Sequence, residues 1–250
     1  MSQSTRTNPQ PKTIQFTKHI QATLLEVNAD DDPADALHLV GIEDYQAAVA
    51  MHSGAGNMSA SYLEKLNQLF TLGLARFAQD HQVLIADGGT NVGGAKLIGR
   101  GRRKVNGNFP LVGLCPSGKI TYPDGPARTR NRWTLNRHHS HFLIVDGEEF
   151  GVESPLLIGL VDAKQSPKLA LIVNGGEIVQ DEVEKHVQNG TPILTLKGSG
   201  RFADKLAEST PNSKLRARYP QNAIIKVFDT TQQSPQAFYK LLRQMLTPNA

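Results

Sequence analysis

The feature that most constrains this chain is its punctuation: short apolar runs, many closed by small residues and followed by a helical pattern. The runs at 37–42, 47–51, 83–86, 111–115, 142–145, 169–173, 193–196 and 224–228 are strand-sized. Several are continuous rather than alternating, so they read as strands covered on both faces. Amphipathic patterns lie between many of them. The clearest spans 61–79, where Tyr62, Leu66, Leu69, Phe70, Gly73 and Phe77 form one stripe and Ser61 with Glu64 makes a capping box. Shorter helices are expected at 153–163, 179–189, 202–209 and 235–246. Strands alternating with helices imply right-handed crossovers. The expected fold is therefore α/β and Rossmann-like, a mostly parallel sheet with helices on both faces.

The same texture sets the domain organisation. Residues 1–35 read as an N-terminal tail and extension, with a short apolar run at 24–27 and an acidic turn at Asp30-Asp31-Asp32-Pro33. Residues 36–250 read as a single ligand-binding domain, in which 100–140, rich in Arg, Gly and Pro, is an excursion around one strand. A chain of 250 residues, 39% hydrophobic, buries a sizeable core without staples. Its single cysteine, Cys115, excludes an internal disulfide and points to a reducing, cytoplasmic setting. The apolar runs are too short to span a bilayer as helices and the first residues do not read as a signal peptide, so no membrane partner is expected. The net charge of +4 suits an anionic small molecule better than nucleic acid, which calls for a denser basic face. A homo-oligomer is compatible with all of this.

Four strand candidates end in small residues: Ser53-Gly54-Ala55-Gly56, Asp87-Gly88-Gly89-Thr90, Asn174-Gly175-Gly176-Glu177 and Gly198-Ser199-Gly200-Arg201. At a strand-to-helix turn the first helical N–H groups point outward and carry the positive end of the helix dipole. Glycine there lets the chain turn sharply and lets a phosphate approach. In an open α/β sheet such turns share the carboxyl edge, where ligands bind. Gly54 to Ser59 is a dinucleotide fingerprint whose last glycine is replaced by Ser59. The P-loop spacing from Gly113 to Gly118-Lys119 is set aside, because Ile120 stands where a hydroxyl is needed and Tyr122-Pro123-Asp124-Gly125 signals a turn.

The candidate ligand-binding residues are Gly54, Gly56, Gly88, Gly89, Thr90, Asn91, Glu153, Gly175, Gly176, Gly198, Ser199, Gly200 and Arg201. A guanidinium at a helix start opposes the dipole, so Arg201 is better explained by a phosphate than by helix stabilisation; the competing reading is a salt bridge to Asp204. Arg128, Arg130, Arg132 and Arg137 read either as a solvated loop or as a clamp on a diphosphate, with Trp133 and Tyr122 near enough in sequence to stack on a base. His138, His139 and His141 lack a Cys or carboxylate companion, so no metal is expected and no resident cofactor is required.

Several of these segments resemble one family. Asp87 to Gly94, the run His139-Ser140-His141-Phe142-Leu143-Ile144-Val145-Asp146-Gly147, Gly151-Val152-Glu153, Asn174-Gly175-Gly176, Asn189-Gly190-Thr191-Pro192 and Gly198-Ser199-Gly200-Arg201-Phe202-Ala203-Asp204 are similar, in the same order, to motifs in the cytosolic region of melastatin-type TRP channels. The chain resembles a stand-alone, prokaryotic-type member of the SLOG superfamily, which also holds LOG phosphoribohydrolases and DprA/Smf proteins. The resemblance implies a Rossmann-like fold and a pocket for a nucleotide-derived ligand such as ADP-ribose, cyclic ADP-ribose or NAD. It places Arg201, Gly175 and Gly176 on that ligand. It adds Phe150 to the candidate ligand-binding residues, where some members carry a tyrosine, and it marks a second departure, Leu157 for an arginine. The alternative it implies is an N-glycosidic-bond hydrolase. Gly175, Gly176 and Glu182 match the LOG motif, with Ile178 and Val179 replacing its inner glycine and threonine. That broken motif favours reading Glu182 as an exposed acid beside Asp181 and Glu184 rather than as catalytic. DprA-like nucleic-acid binding is the weakest implication.

Overall fold

The computed structural model describes residues 10–54 and 60–247. Among the described residues eleven strands are formed: β1 (Lys12–Thr17), β2 (Ile20–Val27), β3 (Ala47–Ser53), β4 (Val83–Asp87), β5 (Leu111–Pro116), β6 (Ile120–Thr121), β7 (Trp133–Thr134), β8 (His141–Val145), β9 (Lys168–Val173), β10 (Ile193–Lys197) and β11 (Ile225–Asp229). Nine of them make one sheet in the order β1-β2-β8-β5-β4-β3-β9-β10-β11; β6 and β7 pair separately. Only β1 runs antiparallel, as a hairpin with β2. From β2 to β11 every pairing is parallel.

The helices are α1 (Pro33–Leu39), α2 (Ala60–Gln68), α3 (Arg76–His81), α4 (Gly93–Lys104), α5 (Ser154–Gly159), α6 (Glu177–Gln188), α7 (Arg201–Glu208) and α8 (Pro235–Leu246), with a π-helical segment, Leu69–Ala75, joining α2 to α3. They cover both faces of the sheet. Ala47, Val49 and Met51 of β3 pack with Phe70, Phe77, Ile98 and Phe238 from α2–α3, α4 and α8. Ala48 and Ala50, alternating with them, face Leu37 of α1 and Leu156 and Leu157 of α5. On that face Val179, Val183 and Val187 of α6 pack with Phe202 and Leu206 of α7. Such two-sided cover is why these strands read as unbroken apolar runs.

Three expectations change. From Lys12 onward the N-terminal extension belongs to the sheet: β2 pairs with β8 along its length, Thr23 opposite His141 and Val27 opposite Val145. The 37–42 run is no strand; it is the end of α1 and the turn after it, since Asp32 caps the helix by accepting from the amides of Ala34 and Asp35 and Pro33 starts it. The Arg- and Gly-rich stretch 100–140 winds around β5 as expected, but its first residues, 100–104, complete a helix, α4. Its glycines obscured it by lowering helix propensity, and packing is what requires them. A Cβ at Gly94 would lie 2.7 Å from the Ser53 Cβ, and one at Gly99 2.5 Å from the Asn136 Oδ1. The capping box expected at Ser61 falls on a residue whose side chain lies outside those described.

The strand order positions the site. Chain order runs outward from β3 through β4 and β5 to β8 in one direction, and through β9, β10 and β11 in the other. The direction reverses between β3 and β9, so the loops after these strands part and leave a crevice at their carboxyl ends.

Candidate functional site

A cavity of about 570 Å³ occupies that crevice. Its floor is Met51, His52, Ser53 and Gly54 at the end of β3. One wall is Gly88, Thr90, Val92, Gly93 and Ala95, the β4–α4 turn and the start of α4. The other is Gly176, Glu177, Ile178, Val179 and Glu182 of α6, with Phe150, Glu153 and Leu157 beside it. Arg201 and Trp133 stand at the rim. The size suits a small organic ligand.

Of the sequence candidates, Gly54, Gly88, Thr90, Phe150, Glu153, Gly176, Glu182 and Arg201 meet at this cavity. Gly56 lies outside the described residues. Gly89, Gly175, Gly198, Ser199 and Gly200 do not line it, and hydrogen bonds give the first four another task; Asn91 lines an adjoining cavity. Asn174 donates from its amide to the Ser199 Oγ (2.7 Å) and from its Nδ2 to the Ser199 carbonyl (2.7 Å). Gly175 N donates to the Asn174 Oδ1 (2.9 Å), and the amides of Phe202 and Ala203 donate to the carbonyls of Gly175 and Asn174. Gly198 N donates to the Asp204 Oδ1 (2.7 Å). The loops after β9 and β10 are thus locked together. The expected edge of aligned glycine amides is reduced, because these N–H groups are spent within the protein; the first turns of α4 and α6 retain theirs by helix geometry.

Arg201 is exposed and has φ +52°, a left-handed conformation costly for a side-chain-bearing residue. A Cβ at Gly176 would lie 2.6 Å from its guanidinium, so the arginine lies close over the start of α6. Asp204 is engaged with Gly198, and among the described residues no ion pair holds Arg201.

Glu182 is not an exposed acid. It is buried with His52 and His186 in a chain that sequence reading missed. Glu182 and His186, one helical turn apart, share the face of α6 that covers β3. The Glu182 Oε2 lies 2.7 Å from the His52 Nδ1, and its Oε1 accepts from the Ser154 Oγ at 2.6 Å. The His52 Nε2 is 2.8 Å from the His186 Nε2. Burial pushes the Glu182 carboxyl up, but His52 and the Ser154 hydroxyl outweigh it and hold the group below its ordinary value. Burial and the charge of His52 hold His186 well below the usual imidazole range, so it is neutral. Across the 2.8 Å contact one of the two Nε2 atoms donates and the other accepts. The available signal was a polar residue, His52, ending an apolar strand just before a glycine cluster. Next to this chain, burial raises Glu153 to about 7 despite the 2.8 Å hydrogen bond from Gly151 N.

A second buried pair shapes the opposite wall. Asp87 Oδ1 accepts from Gly89 N (2.6 Å) and lies 2.9 Å from the His139 Nε2, both side chains fully enclosed. Asp87 therefore organises its turn rather than facing the cavity. Among the described residues no group of three or more His, Cys, Asp or Glu is arranged to hold a metal ion, and no helix is long and apolar enough to cross a membrane.

Comparison with known proteins follows the same geography. A family model described as "SLOG in TRPM, prokaryote" matches residues 46–236. Transient receptor potential cation channel subfamily M member 2 of Mus musculus is 25% identical over 222 residues, covering 72% of this chain and 15% of the channel. Its Rattus norvegicus counterpart is 26% identical over 205 residues, covering 67% and 14%. Subfamily M member 6 of Homo sapiens is 25% identical over 192 residues, covering 64% and 9%. The chain thus spans only a small part of the length of these relatives.

Proposed function

Since the chain belongs to the family described as SLOG in TRPM, prokaryote, we propose that its crevice binds a nucleotide-derived ligand of the ADP-ribose type, in a cytoplasmic setting. The observation that carries this reading is the strained, unpaired Arg201 laid over the Gly176 start of α6 at the topological switch point. A guanidinium there and the free first-turn amides of α6 converge on one anion, and a diphosphate supplies it. Phe150 offers a ring at the rim. Titration calorimetry against ADP-ribose, cyclic ADP-ribose and NAD tests the proposal. Saturable binding that weakens at least about tenfold in Arg201→Ala is expected, about 1.4 kcal/mol or more. No saturable binding to any of the three refutes it.

A second reading is favoured by one observation, the buried Glu182 held by His52 and Ser154 at the cavity wall. A fixed carboxylate stabilises positive charge developing on a ribose; Glu153, raised to about 7, supplies the proton that a departing purine or pyrimidine requires, whereas nicotinamide leaves NAD without one. The reaction would be hydrolysis of an N-glycosidic bond. Chromatography of NAD and nucleoside monophosphates after incubation decides it: new base and sugar phosphate, lost in Glu182→Gln, is the expected result of this reading. Unchanged substrates, or equal turnover by that variant, remove it.

A further inference from the structure

A second cavity, about 740 Å³, adjoins the first and shares Val92 and Trp133 with it. Its remaining lining is Asn91, Arg128, Thr129, Arg130, Arg132 and Thr134. Three arginines and no acid line one concavity, in a chain whose overall excess is only +4. Arg132 is partly tied down: its Nε donates to the Gly118 carbonyl (3.4 Å) and its Nη1 to the Ala127 carbonyl (3.3 Å). Both bonds fix the loop and leave the positive charge uncompensated. Arg128 and Arg130 are exposed, and no ion pair holds either among the described residues. Like charges gathered without a counter-charge repel one another, so the arrangement is favoured when an anion enters. Guanidinium groups match phosphate oxygens in pairs. Thr129 and Thr134 add hydroxyls, and the indole of Trp133, 43% exposed, stands between the two cavities.

We propose that this arginine-lined annexe is a phosphate-binding site separate from the crevice, taking a phosphoryl group in addition to the diphosphate assigned there. Its place beside the ligand rests on the crevice reading; its anion chemistry does not. The phosphoryl group arrives either on the same nucleotide or as a free polyphosphate.

Trp133 is the chain's one tryptophan, so its fluorescence reports this boundary alone. Pyrophosphate is titrated into the full chain at fixed ionic strength, with and without saturating ADP-ribose. The expected result is a saturable change in Trp133 emission in both cases. It weakens at least about tenfold in Arg128→Ala/Arg130→Ala and stays within about twofold in Lys240→Ala/Arg243→Ala, which removes equal charge from α8. No saturable change, no effect of the arginine substitutions, or exclusion of pyrophosphate by ADP-ribose overturns the proposal. In the last case the annexe and the crevice hold the same diphosphate, and the crevice reading survives. If pyrophosphate binds through the arginines while calorimetry detects no ADP-ribose, the annexe stands and the crevice reading falls. ADP-ribose 2′-phosphate distinguishes the sources. Displacement of pyrophosphate by it, but not by ADP-ribose, places both phosphates on one ligand; displacement by neither makes the annexe a site for a free anion.

Discussion

At Arg201 the backbone carries a cost that the fold does not need. A left-handed arginine is disfavoured by about 1–2 kcal/mol, and glycine offsets part of that gain by its freedom in the unfolded chain. Arg201→Gly is therefore expected to raise stability by about 0.5–1 kcal/mol in urea unfolding while weakening ADP-ribose binding, a trade characteristic of binding residues. Glu153 makes a similar trade through pH. Its carboxyl is raised from 4.5 to about 7 in the fold, so the folded state holds the proton more tightly than the unfolded chain does. The resulting stability is present below pH 4.5 and is lost as pH rises to about 7. Glu153→Gln removes that loss. Urea midpoints should show the variant gaining on the wild type across this window, by on the order of 3 kcal/mol at pH 8. Equal midpoints at pH 4.5 and pH 8 would show that Glu153 titrates normally.

Among the elements, α4 sets the width of the crevice. Gly99→Ala would improve helix propensity by about 1 kcal/mol in an isolated helix. Here the new methyl meets the Asn136 side chain, whose Oδ1 accepts from His138 N, so it presses on a fixed group. Net destabilisation of about 1–3 kcal/mol is expected in thermal or urea unfolding. The same helix shows where sequence reading fails. Continuous apolar runs identified β3, β4, β5, β8, β9 and β10, because burial on both faces leaves one kind of residue in them; β11 was found from its run at 224–228, although as an edge strand it exposes Lys226 and Val227. α4 was hidden because its glycines serve contacts with Ser53 and Asn136, which are distant in sequence. β1 was hidden by its polarity, as an edge strand pairs on one side only. In the site, Arg201 and the Gly175-Gly176 turn were legible from local pattern. His52 and the burial of Glu182 were not, since both depend on α6 lying across β3.

Over the whole molecule, the one thiol measures how the fold opens. Cys115 is enclosed in the β5 core, donates to the Gly88 carbonyl (3.0 Å), and burial pushes its ionisation well up. Labelling by a thiol reagent should be slow in native protein and should accelerate only with the unfolding transition seen by far-ultraviolet dichroism. Rapid labelling without denaturant would mean that β5 opens locally. The strand order carries a consequence for synthesis as well. β2 waits for β8, whose paired residues emerge roughly 120 residues later, and β3 waits about as long for β9. A growing chain on the ribosome can therefore pair β1 with β2 and β3 with β4 early, but it holds the other edges of β2 and β3 open until β8 and β9 emerge. Completion of the half-sheet beside β2 comes only after His141 to Val145 have left the exit tunnel, so until then the nascent chain presents an open strand edge to its surroundings.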